Sequence, residues 1–454
     1  MNNSDSLHAA AQTVLTRCFG LPGGANLVVF ADETTLSTAQ LLVEQADALE
    51  MRPLLAYFST TMQQRLGKQP LPVGLQLAVK EADAVLVCLD DSKACFDFRD
   101  RVREFGYNAG CKVGHMPGIN EATLLLADVD YEELIHHCEL LATALLQSSS
   151  LTIKTTDAAG GQHCLTVPLD SGTLLPITSD GIIQRASWGN IPSGETYIAP
   201  ALHSGDGSIV INGSVRNYIM TAGEELVLYF EHGQLVRWEP ENSPVARQFE
   251  SETIELALPQ EDDNWSRLGE VGLGADPRVA QLTGSMLLDE KKYGTAHIAL
   301  GQNIDMGGQV KSSIHYDMVT LRPEVAVDGR VIIRDSHLVL TSDGLLQDLL
   351  AIVPPAGWTV DLPLSYTAMR CGADEQGRLR RMWDTDSGRV CSVMVGNDPA
   401  ARPASGVYDA LRRQRRPANL AQIRDSLITI SDDATLIATA FLLFKYGLLK
   451  PEIS

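Results

Sequence analysis

The first uninterrupted apolar run of the chain is Asn26-Leu27-Val28-Val29-Phe30-Ala31, which follows the turn residues Pro22-Gly23-Gly24 and reads as a buried strand. A stretch of helical character from Thr38 to Leu49 comes next, then a second strand-like run at Pro53 to Phe58 and a third at Ala82 to Cys88. Strands alternating with helices predict a parallel sheet covered by helices. The stretch from Glu132 to Leu146 also reads as a helix, and Ser148-Ser149-Ser150 marks a boundary beyond it.

From Leu151 to about Leu340 the pattern changes to short strand-length segments separated by Asn212-Gly213, His232-Gly233 and Asp328-Gly329. Such dipeptides between apolar runs predict hairpins and a β-rich domain. Pro354-Pro355 opens a third region that mixes a small β unit with helical segments. There Leu436 to Leu449 reads as a docking helix, and Arg412-Arg413-Gln414-Arg415-Arg416 as a solvated helix face. The expected class is α/β: a Rossmann-like parallel-sheet domain over 1–150, a β-rich domain over 151–345, and a small α+β extension over 346–454. No Gly-x-Gly-x-x-Gly opens a helix after the first strand, so a dinucleotide site is not expected.

At 454 residues the chain exceeds one hydrophobic core, in keeping with this division. Its net charge of −21 excludes a general nucleic-acid binder and opposes docking on anionic membranes. No apolar run approaches the roughly 20 residues needed to span a bilayer. The eight cysteines are scattered without a Cys-x-x-Cys pair, and the N-terminus lacks the pattern of a signal peptide, which together predict a cytoplasmic protein.

The chemistry concentrates in the β-rich region. In Ser313-Ile314-His315-Tyr316-Asp317 an imidazole and a carboxylate stand two residues apart, and on a strand both point to the same face. Upstream lie Glu195 after Pro192-Ser193-Gly194, Glu270 in Leu268-Gly269-Glu270, and His297 in Gly294-Thr295-Ala296-His297-Ile298-Ala299-Leu300-Gly301. Brought together, three carboxylates and two neutral imidazoles would carry about −3 and would need cations. Oxygen and nitrogen donors without thiolates suit zinc, cobalt, manganese or iron(II), and the inventory fits a two-metal hydrolytic site. His136, His137 and Cys138 read as packing or surface residues on a helix, and Asp90-Asp91 as a helix cap.

The segments from Ile191 to Pro200, Leu268 to Glu270, Asp289-Glu290-Lys291, Gly294 to Gly301 and Ser313 to Asp317 resemble, in order, the aminopeptidase T family of metallopeptidases. His115-Met116-Pro117-Gly118-Ile119 and Asp130-Tyr131 agree with that family as well. The resemblance implies a co-catalytic pair of divalent ions held by Glu195, Glu270, His297, His315 and Asp317. It also implies removal of N-terminal residues from peptides by a homodimer, with Glu195 as general base. Glu290 and Lys291 would then support the metals or touch the substrate.

The family carries a tyrosine seven residues after its His-x-Ala-x-Gly histidine, and this chain has Ile304 there. Tyr293 and Tyr316 are the phenols that could take its place. Two other readings stand beside the peptidase. One is a mononuclear iron(II) oxygenase on the same fold, as in the ring-cleaving dihydroxypyridine dioxygenases. The other is a biosynthetic member docking a partner through its C-terminal region. The presence of both Glu195 and Glu270 favours hydrolysis of a peptide or small amide.

Overall fold

The computed structural model describes residues 3–340, apart from 68, 147, 170–175, 184 and 186, together with the short strands 358–359, 370–373, 379–384, 390–394 and 450–451. The expected helices around Arg412–Arg416 and Leu436–Leu449 lie outside these residues. Two compact units emerge, Met1–Leu134 with Ser179–Gly194, and Ile135–Thr178 with Glu195–Ser454.

In the first unit the strand Asn26–Ala31 lies between Arg52–Tyr57 and Ala84–Cys88. Lys112–His115 and Ser187–Asn190 extend the sheet, and every pairing is parallel. Val28, Phe30, Val85, Val87 and Val113 on one face pack against Phe98 and Val102 of the helix Phe96–Asn108. The strands expected from apolar runs are thus present within two residues of their predicted ends. The other two, Lys112–His115 and Ser187–Asn190, escape sequence reading because Lys-Val-Gly-His and Ser-Trp-Gly-Asn have no apolar run to announce them.

At the carboxyl edge of this sheet the buried Asp32 accepts the Asp90 N–H at 2.5 Å and the Gln63 side-chain amide at 2.7 Å. Asp90 in turn accepts the Ser92 N–H at 2.9 Å, so it closes a turn ahead of the short helical turn Lys93–Cys95.

The second unit is built of antiparallel sheets. An eight-stranded sheet runs Gln234–Glu239, Leu226–Glu231, Asp206–Ile211, Gln162–Pro168, Ser150–Thr156, Glu324–Val327, Arg330–Arg334, His337–Leu338. A seven-stranded sheet runs Tyr218–Ile219, Ser214–Val215, His315–Thr320, Ala296–Gly301, Leu268–Gly274, Glu195–Ile198, Ile177–Ser179. One hydrophobic cluster draws on both, with Leu151, Ile153, Leu165, Val167 and Ile209 from the first and Ile198, Val271, Leu273, Ile298 and Met318 from the second.

Two of the predicted hairpin turns are tight two-residue loops with both residues at positive φ. His232-Gly233 has φ of 49° and 70°, and Asp328-Gly329 has 46° and 81°. That is the backbone whose twist matches the flanking strands. Beyond residue 340, Arg370–Ala373, Leu379–Asp384 and Val390–Met394 form a three-stranded antiparallel sheet.

Candidate metal centre

Four adjacent strands of the seven-stranded sheet put their carboxylates and imidazoles on one face. Across the pairings, Glu270 stands opposite Ala299, which stands opposite Asp317; Gly272 stands opposite His297; Gly274 stands opposite Glu195; and Gly301 stands opposite His315. Opposed residues share a face, and neighbours along a strand alternate. The other face, with Ile198, Val271, Leu273, Ile298, Leu300, Tyr316 and Met318, belongs to the core. Register and alternation together therefore converge Glu195, Glu270, His297, His315 and Asp317, which are spread over 123 positions of sequence.

The contacts form a chain of alternating charge. His315 Nε2 lies 3.2 Å from Glu270 Oε2 and 3.2 Å from Asp317 Oδ1. His297 Nε2 is hydrogen-bonded to Glu270 Oε1 at 3.3 Å and lies 3.5 Å from Glu195 Oε2. Glu270 thus turns one oxygen to each imidazole. Lys291 Nζ donates to Glu195 Oε1 at 2.8 Å and also to Glu290 Oε1. Lys291 and His297 are fully buried, whereas the His315 side chain keeps 30% exposure and opens the centre to solvent.

Burial disfavours every charge here, and the partners decide the outcome. Burial opposes an imidazolium at His297, but Glu270 and Glu195 raise its pKa to about 9. His315 is raised in the same way, by Asp317 and Glu270 against its burial. Burial works against the carboxylates of Glu270 and Asp317 too, and the imidazoles hold both below the ordinary carboxylate range. Burial pushes Glu290 up, with Lys291 opposing, while Lys291 stays charged against its own burial through Glu195 and Glu290. Protons on the imidazoles give the carboxylates the counter-charge that a divalent cation would supply.

The donors fit such a cation. Glu270, His297 and Asp317 present ligand atoms within 4.8 Å of one another, and Glu195, Glu290 and His297 form a second group of that kind. Glu195 Oε2 and Asp317 Oδ1 are buried and make no hydrogen bond although each faces an imidazole nitrogen. Unsatisfied buried oxygens are costly, and coordination would satisfy them. His315 Nδ1 lies 2.7 Å from the Gln302 carbonyl, which fixes the tautomer that leaves Nε2 free as a ligand.

Surrounding contacts hold the centre rigid. Asp262 accepts Ser312 Oγ at 2.6 Å, the Ser313 N–H at 2.6 Å and Ser313 Oγ at 2.8 Å, which clamps the loop leading into His315. Asn303 donates to the Gly269 carbonyl at 2.9 Å and accepts the Val310 N–H at 2.7 Å, tying the loop after the His297 strand to the residue before Glu270. Thr196 donates to the Cys138 carbonyl at 2.8 Å beside Glu195. Asp289 accepts the N–H groups of Thr283 and Gly284 at 2.6 and 3.1 Å and shapes the turn that delivers Glu290 and Lys291.

The five ligand candidates and the Glu290-Lys291 pair are brought together; the two phenols are not. Tyr316 points to the opposite face and packs edge-on to Phe249 at 6.1 Å. Tyr293 packs on His137 at 5.0 Å, and its hydroxyl takes the Leu338 N–H at 3.4 Å. Ile304 begins a single helical turn, Ile304–Met306. Sequence reading missed Gln302, which acts through its backbone carbonyl, and Asp262, whose partners lie 50 and 51 residues away.

The segment that carries this centre, residues 164–336, matches the family model described as thermophilic metalloprotease (M29). The resemblance to the aminopeptidase T family is shown over that stretch, and every residue of the centre falls inside it. Two solved structures share the fold. The 2,5-dihydroxypyridine dioxygenase from Pseudomonas putida KT2440 aligns with TM-score 0.58 and 17% identity over 76% of this chain and 99% of its own. Wild-type AmpT from Thermus thermophilus aligns with TM-score 0.51 and 16% identity over 74% of this chain and 99% of its own. No curated protein sequence matches the chain. Among the described residues no helix is long and apolar enough to cross a membrane.

Proposed function

We propose that this protein is a metal-dependent amide hydrolase of the aminopeptidase kind, acting on peptide N-termini or related small amides. The observation that carries the reading is the convergence of Glu195, Glu270, His297, His315 and Asp317 on one rigid sheet face. Glu270, His297, His315 and Asp317 would hold the ion. Such a cation would supply Lewis-acid polarisation of a substrate carbonyl and would ease the deprotonation of water near neutral pH. Glu195 is suited to take up the water proton and return it to the leaving amine, because its Oε2 is free of hydrogen bonds while Lys291 holds Oε1. The core on the far side of the sheet fixes these side chains in place.

The test is hydrolysis of a panel of aminoacyl anilides by protein loaded with manganese, cobalt or zinc. Release of the aniline is expected, with loss of turnover on chelation and in Glu195→Gln. An iron(II) oxygenase is the second reading. It is favoured by the dioxygenase fold match and by His297, His315 and Asp317, which make up a two-histidine, one-carboxylate set. Glu270 argues against it by adding a further ligand where an oxygenase keeps positions open. Oxygen uptake with iron(II) and a dihydroxypyridine, without anilide hydrolysis, would overturn the hydrolase reading.

A further inference from the structure

Two groups of ligand atoms lie side by side in the centre, Glu270–His297–Asp317 and Glu195–Glu290–His297, and they share one imidazole. His297 Nε2 has a single lone pair and can serve one ion. It is hydrogen-bonded to Glu270 Oε1 at 3.3 Å and stands farther, at 3.5 Å, from Glu195 Oε2. An ion that takes Nε2 on the Glu270 side also gains Asp317 and His315, whose Nε2 lies 3.2 Å from both carboxylates. The other group is then left with Glu195 and Glu290 alone.

Those two carboxylates already share a cation. The Lys291 side chain has no exposed surface, and its ammonium donates to both Glu195 and Glu290. A divalent ion against the same pair would repel an ammonium that has no exposed surface, in surroundings where water screens little. We propose that each chain holds one divalent cation, bound by Glu270, His297, His315 and Asp317, and that the Lys291 ammonium is the permanent counter-ion of Glu195 and Glu290 in the place of a second. The inference rests on the reading of this face as a divalent-metal centre. It departs from the two-ion expectation drawn from the sequence, and it makes Lys291 a positioning residue for Glu195.

The experiment is the metal content of the full chain after loading with excess manganese or cobalt, gel filtration and elemental analysis. One ion per chain is expected in the wild type, and a second in Lys291→Met. Two ions in the wild type, or one in both proteins, would overturn the role given to the lysine. No ion in the wild type would overturn the metal-centre reading itself, before the lysine is at issue. Should Lys291→Met fail to fold, Glu195→Gln decides. It is expected to keep its ion with affinity changed by no more than a few-fold, while His315→Ala weakens binding by about tenfold or more. A loss in Glu195→Gln as large as in His315→Ala would make Glu195 a ligand and refute the proposal.

Discussion

Gly272 pairs with His297 across adjacent strands, and a methyl group on Gly272 would stand 2.1 Å from the imidazole Nε2. The imidazole lies over the strand because residue 272 has no side chain. Gly272→Ala is therefore expected to leave the sheet folded while displacing the His297 ring, at a cost of about 1–3 kcal/mol from overpacking. Metal affinity should fall by about tenfold or more, measured by isothermal titration. Unchanged affinity would show that His297 does not need its present orientation.

Lys291 is enclosed with two carboxylates, so removing its charge strands both. Lys291→Met should destabilise the metal-free protein by about 3–5 kcal/mol, the usual cost of breaking a buried pair from one side. Added divalent metal should recover part of that loss in the variant, because a cation can then reach Glu195 and Glu290. Chemical denaturation with and without manganese measures both effects. A variant as stable as the wild type would mean that the lysine does not carry the charge of this pocket.

The pH dependence of the metal-free protein follows from the direction of each shift. His297 is raised to about 9 from the ordinary 6.5, so its contribution to stability is complete below pH 6.5 and is lost as pH climbs through 9. His315 acts in the same sense. Glu270 and Asp317 are lowered, so their contributions are present above the ordinary carboxylate range and vanish in acid. The melting temperature of metal-free protein should thus fall from about pH 6.5 towards 9. A bound cation needs neutral imidazoles, so metal affinity weakens as pH is lowered and the loaded protein escapes the alkaline decline. The gap in melting temperature between loaded and metal-free protein should widen from pH 6 to 9, roughly the span between the two pKa values; a narrowing gap contradicts this account.

Asp262 holds Ser312 and Ser313 by three hydrogen bonds just ahead of His315. Asp262→Ala should free that loop and let the His315 ring turn away from the Gln302 carbonyl. We expect roughly tenfold weaker metal binding, the scale of an outer-contact loss, with the melting temperature of the rest of the unit little changed. Binding indistinguishable from wild type would assign Asp262 to loop stability alone.

Much of this architecture was readable from the residue pattern. The run Leu27-Val28-Val29-Phe30 specified a buried strand because no polar residue offered it a solvent face, and His232-Gly233 and Asp328-Gly329 specified hairpins because both tolerate positive φ. The spacing of His315 and Asp317 placed them on one face for the same local reason, and by that alternation Tyr316 had to face the core. The first boundary was less legible. Chain expected to leave the parallel sheet near residue 150 returns to it at Ser187–Asn190, held by backbone pairing that few side chains advertise.

By itself, then, the sequence determined what is local: residue types, the period-two alternation of each strand, and the presence of five oxygen and nitrogen donors in the β-rich region. Tertiary structure decided which of them meet. Glu270, His297 and Asp317 converge only because the strands are ordered and registered as they are, and cross-strand register depends on packing of the opposite face rather than on any one strand. Lys291 shows the same division. Its charge is plain in the sequence, but its enclosure between Glu195 and Glu290 comes from a partner 96 residues away and from the turn that Asp289 shapes.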